Sequence, residues 1–295
     1  MTAPAAERVD ALPDLPILVV APHLDDALLS AFALTTAPAP SASPDSSAAS
    51  TAPTVLTVFD GEPADPVVTS WDVVCSLADS SEAMRLRRAE NDEAMRRSGS
   101  AHRSVGLVDL QYLDGPRPPQ DAEAIRAAVR AWLREVGAGI VAVPAGAGTP
   151  PPPTAALLGA PGGARRRRLR RLLGPPGQAL LNARARWMAR HTLPAAHADH
   201  LFVRDALVTL EEAAAIVLYE EIPYLWGRPA DHEVAQLLER HGLGAQELTA
   251  RVDRADKARC IGAYRTQVGL LYSPRGRLDS VEGLPQVERY WLLDG

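Results

Sequence analysis

Lysine is almost missing from this chain: of 31 basic side chains in 295 residues, only Lys257 is not arginine. With the abundant alanine and proline, this reads as a coding bias and not as a design for binding phosphate. A basic excess is missing too. The formal net charge is −5, which argues against nucleic acid as a partner of the whole molecule. The only cysteines, Cys75 and Cys260, are too few and too far apart for a disulfide framework or a Cys-rich zinc site, so a reducing compartment is expected. No stretch approaches the ~18–20 apolar residues of a membrane span. The first residues, MTAPAAERVDALPDL, carry acids and prolines where a signal peptide needs a basic start and an apolar run. The expectation is a cytoplasmic protein with no membrane span. Finally, no Gly-rich phosphate turn follows the first apolar segment. PHLDD stands there instead, and its acids would repel phosphate, which disfavours a dehydrogenase or a methyltransferase.

What is present is the make-up of an α/β protein. Residues 16–21, PILVVA, form a continuous apolar run suited to a strand buried on both faces. TVLTVF at 54–59, GIVAVP at 139–144 and AAIVLY at 214–219 repeat the pattern. Charged, helix-forming segments at 81–97 and 121–136 lie between them, Ser98-Gly99 ending the first, and helices are also expected at 201–213 and 253–270. This alternation implies a Rossmann-like, mostly parallel sheet with helices on both faces in a single domain.

Residues 1–15 read as a tail, and 16–295 as the domain. Residues 35–53 are Ala, Pro, Ser and Thr with one acid, the composition of a loop. Residues 145–195 read as an insertion rich in Gly, Pro and Arg: between Val136 and Ala198 there are nine arginines, RRRRLRR among them, and no acid.

Two short clusters carry the chemistry. His23-Leu24-Asp25-Asp26 directly follows the first strand, and ligands of open α/β sheets sit at the carboxyl ends of strands. His and Asp three apart on such a loop can turn to one point, and zinc accepts both. Of two adjacent aspartates, one can hold the metal while the other faces its water. His197-Ala198-Asp199-His200, before an expected helix, offers a third ligand and a spare acid–base histidine. Three protein ligands plus water is the open arrangement of a catalytic zinc. Either cluster alone is more often a turn or a helix cap than a ligand set; it is the pair that points to a metal.

VVAPHLDDALLS resembles a PHLDDA variant of the AHPDDE motif of the PIG-L/LmbE family of zinc-dependent N-deacetylases. Further segments extend the resemblance. RLRRAENDEAM at 85–95 is similar to the family's R-x-x-E helix, and HADHLFVRDAL to HPDHRLVRDAL. LYEEIPY at 218–224 is similar to Y-E-D-L-P-Y, and KARCIGAYRTQ at 257–267 to a K-x-x-A-x-x-x-Y-x-(S/T)-Q helix. The matches spread over residues 16–270, with a gap across the insertion. Ala27 stands where the family commonly has Glu, and Leu24 and Ala198 where it has Pro; none of the three removes a ligand.

The resemblance implies that His23, Asp26 and His200 bind Zn2+, with another divalent ion also compatible with such a set. It implies Asp25 as general base, and His197 as the group that stabilises the oxyanion or protonates the leaving amine. Asp199 would orient a histidine or cap the following helix. Arg87 would reach substrate or be a solvated helix charge, and Tyr224 would line the pocket or serve the structure. Trp187 and nearby arginines are a lid or, more simply, a solvated helix, and Cys260 is a small core residue. The implied activity is hydrolysis of an N-acyl amide, most simply N-acetyl, on an amino sugar or a sugar-containing small molecule. Hydrolysis of a larger amide or a thiol conjugate is the nearest alternative. An inactive protein that binds an anionic partner through the arginine-rich insertion is an alternative of another class.

Overall fold

In the computed structural model, residues 12–36, 52–146, 197–224, 230–273 and 276–294 are described. Most of the expected tail and nearly all of the arginine-rich insertion, Trp187 included, lie outside them. A seven-stranded sheet runs in the order β3-β2-β1-β4-β5-β9-β6. Its strands are β1 (Ile17–Ala21), β2 (Thr54–Thr57), β3 (Ala101–Ser104), β4 (Ile140–Pro144), β5 (Ala215–Tyr219), β6 (Ala245–Arg251) and β9 (Val287–Leu293). β7 (Tyr272–Ser273) and β8 (Gly276–Arg277) form a separate small hairpin. The five strands from β3 to β5 are parallel neighbours, and β9 pairs antiparallel with both β5 and β6. The expected mostly parallel α/β fold is therefore present.

The continuous apolar runs mark strands with both faces covered. In β1 the alternation splits Leu18 and Val20 into one core layer and Val19 and Ala21 into the other. The first layer is closed by α5 (Gln120–Val136), α6 (Ala198–Leu207) and α7 (Ala230–His241) through Ile125, Val129, Trp132, Val203, Leu207, Val234 and Leu237. The second is closed by α1 (Asp26–Ser30), α2 (Phe32–Thr35), α4 (Ser80–Ser98) and α8 (Arg254–Ile261), with Leu28, Phe32, Met95, Cys260 and Ile261. The short α3 (Ser70–Val74) precedes α4. Gly99 stops α4 in the left-handed region at φ 78°, and the last-turn arginines suit the helix dipole.

Several local expectations shift. The helix expected at 201–213 runs Ala198–Leu207, and the one expected at 253–270 ends at Ile261, with a separate 3-10 turn at Val268–Leu270. β2 stops at Thr57, two residues before its apolar run ends. Cys260 is fully buried, as expected of a core residue.

The C-terminal strand β9 is fastened to the second layer by a polar knot. Glu288 accepts from Lys257 Nζ at 2.6 Å, from the Tyr290 hydroxyl at 2.5 Å, and from Phe32 and Ala33 N–H at 3.2 and 2.9 Å. Lys257 Nζ also donates to the Leu29 carbonyl at 2.7 Å. The chain's single lysine is thus buried between α1, α8 and β9, and every partner it has is an acceptor.

Candidate metal centre

The strand order reverses direction between β1 and β4, which opens a crevice at their carboxyl ends. His23 leaves β1 into that crevice. Its backbone N–H donates to Asp26 Oδ2 at 2.7 Å, which curls the loop so that both side chains face the same way. Tyr264 supports the loop from below, its hydroxyl donating to the Leu24 carbonyl at 2.9 Å. Asp25 is the N-cap of α1 but makes no cap hydrogen bond with its side chain. From the far side of the crevice, α6 begins at the same point. His197 is its N-cap, accepting Asp199 N–H at Nδ1 over 3.4 Å, and His200 lies in its first turn.

The three expected ligands meet. His23 Nδ1 lies 3.1 Å from Asp26 Oδ2 and 3.2 Å from His200 Nε2, and His200 Nε2 lies 3.3 Å from Asp26 Oδ2. Donor atoms around a zinc ion held at ~2.0–2.2 Å stand roughly 3.3–3.6 Å apart at tetrahedral corners. The spacing and the donor types, two imidazoles and one carboxylate, fit a divalent cation. The remaining ring nitrogens sharpen the fit. His23 Nε2 meets Asp199 Oδ2 at 3.3 Å, and His200 Nδ1 meets Glu221 Oε1. A carboxylate only accepts, so in a neutral ring it favours the proton on the far nitrogen and leaves the lone pair turned inward. In that tautomer the three ligand atoms turn their lone pairs to one point.

The electrostatics agree. Burial works against a charged His23 ring, but Asp109, Asp199 and Asp26 outweigh it and raise its pKa well above the ordinary value. For His200 burial is likewise overcome, by Asp26 and Glu221. This is the field of a site built for positive charge. Burial and the neighbouring Asp26 push Asp25 up to about 6. Burial and the two flanking histidines pull His197 down to about 3, so its ring is neutral. With Nδ1 accepting the cap bond, the proton of that neutral ring sits on Nε2.

Two other groupings of ligand-type residues exist. His23, His197 and His200 bring one nitrogen each within 4.8 Å of one another. That set is looser than the triangle containing Asp26. His23, Asp109 and Asp199 form the other, but Asp199 Oδ1 is already bound by Arg117 Nη2 at 2.5 Å and by its Nε at 3.1 Å. A guanidinium there repels a second cation, so this group supports His23 and is not a second centre. Arg117 lies flat against Phe59, 3.8 Å from the ring centroid, and is further held by Asp121 and the Val108 carbonyl.

All seven site residues expected from the sequence come together here. Tyr224 packs edge-on against His200, ring centroids 4.8 Å apart. Arg87 is 5% exposed, which rules out a solvated helix charge. Its charge lowers the Asp25 pKa; burial opposes its own charge, but Tyr112, Cys75, Asp109 and Asp72 outweigh burial and raise its pKa, and among the described residues Nε and Nη2 have no hydrogen-bond partner. Asp199 orients His23, while His197, not Asp199, caps α6. Sequence reading missed Asp109, Arg117 and Glu221. Asp109 and Glu221 follow β3 and β5, and an acid just past the carboxyl end of a parallel strand was the available signal.

No family model and no curated protein sequence matches the chain. Solved structures do match in fold. The zinc-inhibited form of teicoplanin deacetylase Orf2 aligns with a TM-score of 0.58 at 19% identity, covering 95% of this chain and 98% of that one. The A40926 pseudoaglycone deacetylase Dbv21 aligns at 0.57 and 20%, covering 96% and 98%. A deacetylase–teicoplanin complex aligns at 0.57 and 19%, covering 94% and 98%. The chain therefore shares the fold of these deacetylases nearly end to end. Among the described residues, no helix is long and apolar enough to cross a membrane.

Proposed function

We propose that this chain is a metal-dependent N-deacetylase of the PIG-L/LmbE type, acting on the N-acetyl group of an amino sugar within a larger glycosylated molecule. One observation carries the reading: His23 Nδ1, Asp26 Oδ2 and His200 Nε2 lie 3.1–3.3 Å from one another at the switch point of the sheet, with Asp25 next to them in the same turn. The teicoplanin and A40926 pseudoaglycone deacetylases of like fold support the choice of deacetylation.

His23, Asp26 and His200 would hold the cation, with zinc the proposed ion. Such an ion would supply Lewis-acid stabilisation of the amide oxygen and would acidify a water. The chain's own groups divide the rest. Asp25 takes the proton of the attacking water as its oxygen bonds to the amide carbon, then returns a proton to the nitrogen as the C–N bond breaks. His197, neutral with its proton on Nε2, donates a hydrogen bond to the developing oxyanion. Acetate and a free amine leave.

Arg87 would grip the sugar. The free atoms, Nε and Nη2, form one edge of the guanidinium, which addresses two acceptor oxygens side by side. With several acids nearby, neutral sugar oxygens suit that edge better than another anion. Arg87→Lys keeps the charge but loses the edge. It is expected to raise KM about tenfold with kcat little changed, since a hydrogen bond to a charged group contributes roughly 1.5–3 kcal/mol. An unchanged KM on a soluble N-acetylglucosaminyl substrate would remove Arg87 from the binding site.

The test of the whole reading is metal content together with acetate release from a panel of N-acetylglucosaminyl compounds. Wild-type protein is expected to hold about one zinc per chain and to release acetate, whereas His200→Ala should lose both. Protein that takes up no divalent ion, and that none activates, would refute the reading.

A further inference from the structure

Glu221 follows β5 in the loop whose sequence is EEIPY, and nothing in the catalytic scheme above uses it. We propose that Glu221 is a positioning residue that fixes the tautomer of His200, and that the site needs its carboxylate and not merely its bulk. The proposal deepens the metal-centre reading and rests on it.

Of the two groups that meet Glu221, the backbone N–H is always a donor, and the proposed tautomer makes the ring nitrogen the second. Gly146 N–H, at the end of β4, points at Oε2, and His200 Nδ1 points at Oε1. All three residues are buried or nearly so, with His200 only 1% exposed. A carboxylate is acceptor-only and satisfies both donors at once. Its hold on the Nδ1 proton leaves Nε2 with the lone pair that faces His23 Nδ1 and Asp26 Oδ2.

A glutamine of the same shape has one acceptor and one donor face. Gly146 N–H cannot change its role, so the amide oxygen stays with Gly146 and the amide NH2 turns to His200. The ring then becomes an acceptor at Nδ1 and carries its proton on Nε2. Asp26 Oδ2, 3.3 Å away, accepts that proton, so the altered tautomer is comfortable in the metal-free site. It has also lost its inward lone pair. Alanine, by contrast, leaves Nδ1 to water and imposes no tautomer.

The consequence is an inverted ranking. If Glu221 only filled space, the isosteric Glu221→Gln would be mild and Glu221→Ala severe. Tautomer control predicts the reverse: a zinc or cobalt dissociation constant raised about tenfold by Glu221→Ala and about a hundredfold by Glu221→Gln, the span over which support of a metal ligand is felt. The experiment is competition of each metal-free protein against a chromophoric chelator for Zn2+ and Co2+, after circular dichroism confirms folding. A Gln variant that binds as tightly as the Ala variant, or more tightly, overturns the proposal.

Nitrogen-15 correlation of the histidine rings in metal-free protein, at alkaline pH where the rings are neutral, separates this from failure of the metal reading. The His200 proton is expected on Nδ1 in wild type and on Nε2 in Glu221→Gln. The same tautomer in both overturns the proposal. Wild-type protein that binds neither ion overturns the deacetylase reading, while the ring spectra still decide the role of Glu221.

Discussion

Asp25→Asn is expected to leave the metal content unchanged and to lower acetate release by two to four orders of magnitude, about the contribution of a positioned general base. The expectation comes from the geometry of one turn. Asp25 and Asp26 are neighbours, but only Asp26 joins the triangle with His23 and His200. Asp25 occupies the N-cap of α1 without bonding to it, so asparagine there sacrifices no cap and adds no bulk. What it does remove is the acceptor for the proton of water. The loss should fall on kcat and spare KM, because no bond to substrate is broken. Metal analysis and steady-state rates on one N-acetylglucosaminyl compound check it. A variant with a tenth or more of wild-type activity would pass the base role to another residue. Asp26→Asn is the contrasting control, expected to lose the ion and the activity together.

The second large effect concerns stability. Glu288→Ala is expected to cost about 3–5 kcal/mol, the typical cost of leaving a buried charge without its partner. Lys257 would keep its ammonium in the core with only the Leu29 carbonyl, and Phe32 N–H, Ala33 N–H and the Tyr290 hydroxyl would lose their acceptor as well. The ammonium could escape only by losing its proton; burial already pulls the Lys257 pKa below its ordinary value. Urea unfolding should show a lower midpoint at an unchanged slope. The double change Lys257→Met, Glu288→Leu should recover the part due to the stranded ammonium but not the part due to Phe32 N–H, Ala33 N–H and the Tyr290 hydroxyl, which still lack their acceptor. A single-variant loss below about 1 kcal/mol, the range of an exposed pair, would mean that water reaches the knot.

The parts of the site that could be read from the sequence are those written contiguously. PHLDD after PILVVA and HADH before an amphipathic segment each bring several functional groups into one turn, so local pattern finds them. Asp109, Arg117 and Glu221 are scattered single residues with no pattern of their own. Their roles exist because the parallel strands put the exits of β3 and β5 at the same edge of the sheet as that of β1, with one strand between on either side. The same limit applies to the fold. The buried parallel strands announce themselves as apolar runs, whereas β3, AHRS, is a polar edge strand, largely exposed and invisible to hydropathy. β6 and β9 were missed because what makes them strands is their pairing with each other and with β5. Arg87 shows the reverse case. Its sequence setting, a charged helix, left substrate contact and a solvated face both open, and the burial of Arg87 in α4 removes the second.

Both ends of the long connection between β4 and α6 are anchored in the centre itself. Gly146, where the chain departs, is held by Glu221 and by Arg204, whose Nη1 donates to its carbonyl at 2.6 Å. His197, where the chain returns, is locked as the cap of the helix that carries His200. The two exits, Gly146 and His197, are therefore fixed by the same groups that position the proposed ligands. For any loop whose two ends are fixed, the entropic cost of added length grows only slowly, so fixed exits tolerate variation in what lies between them.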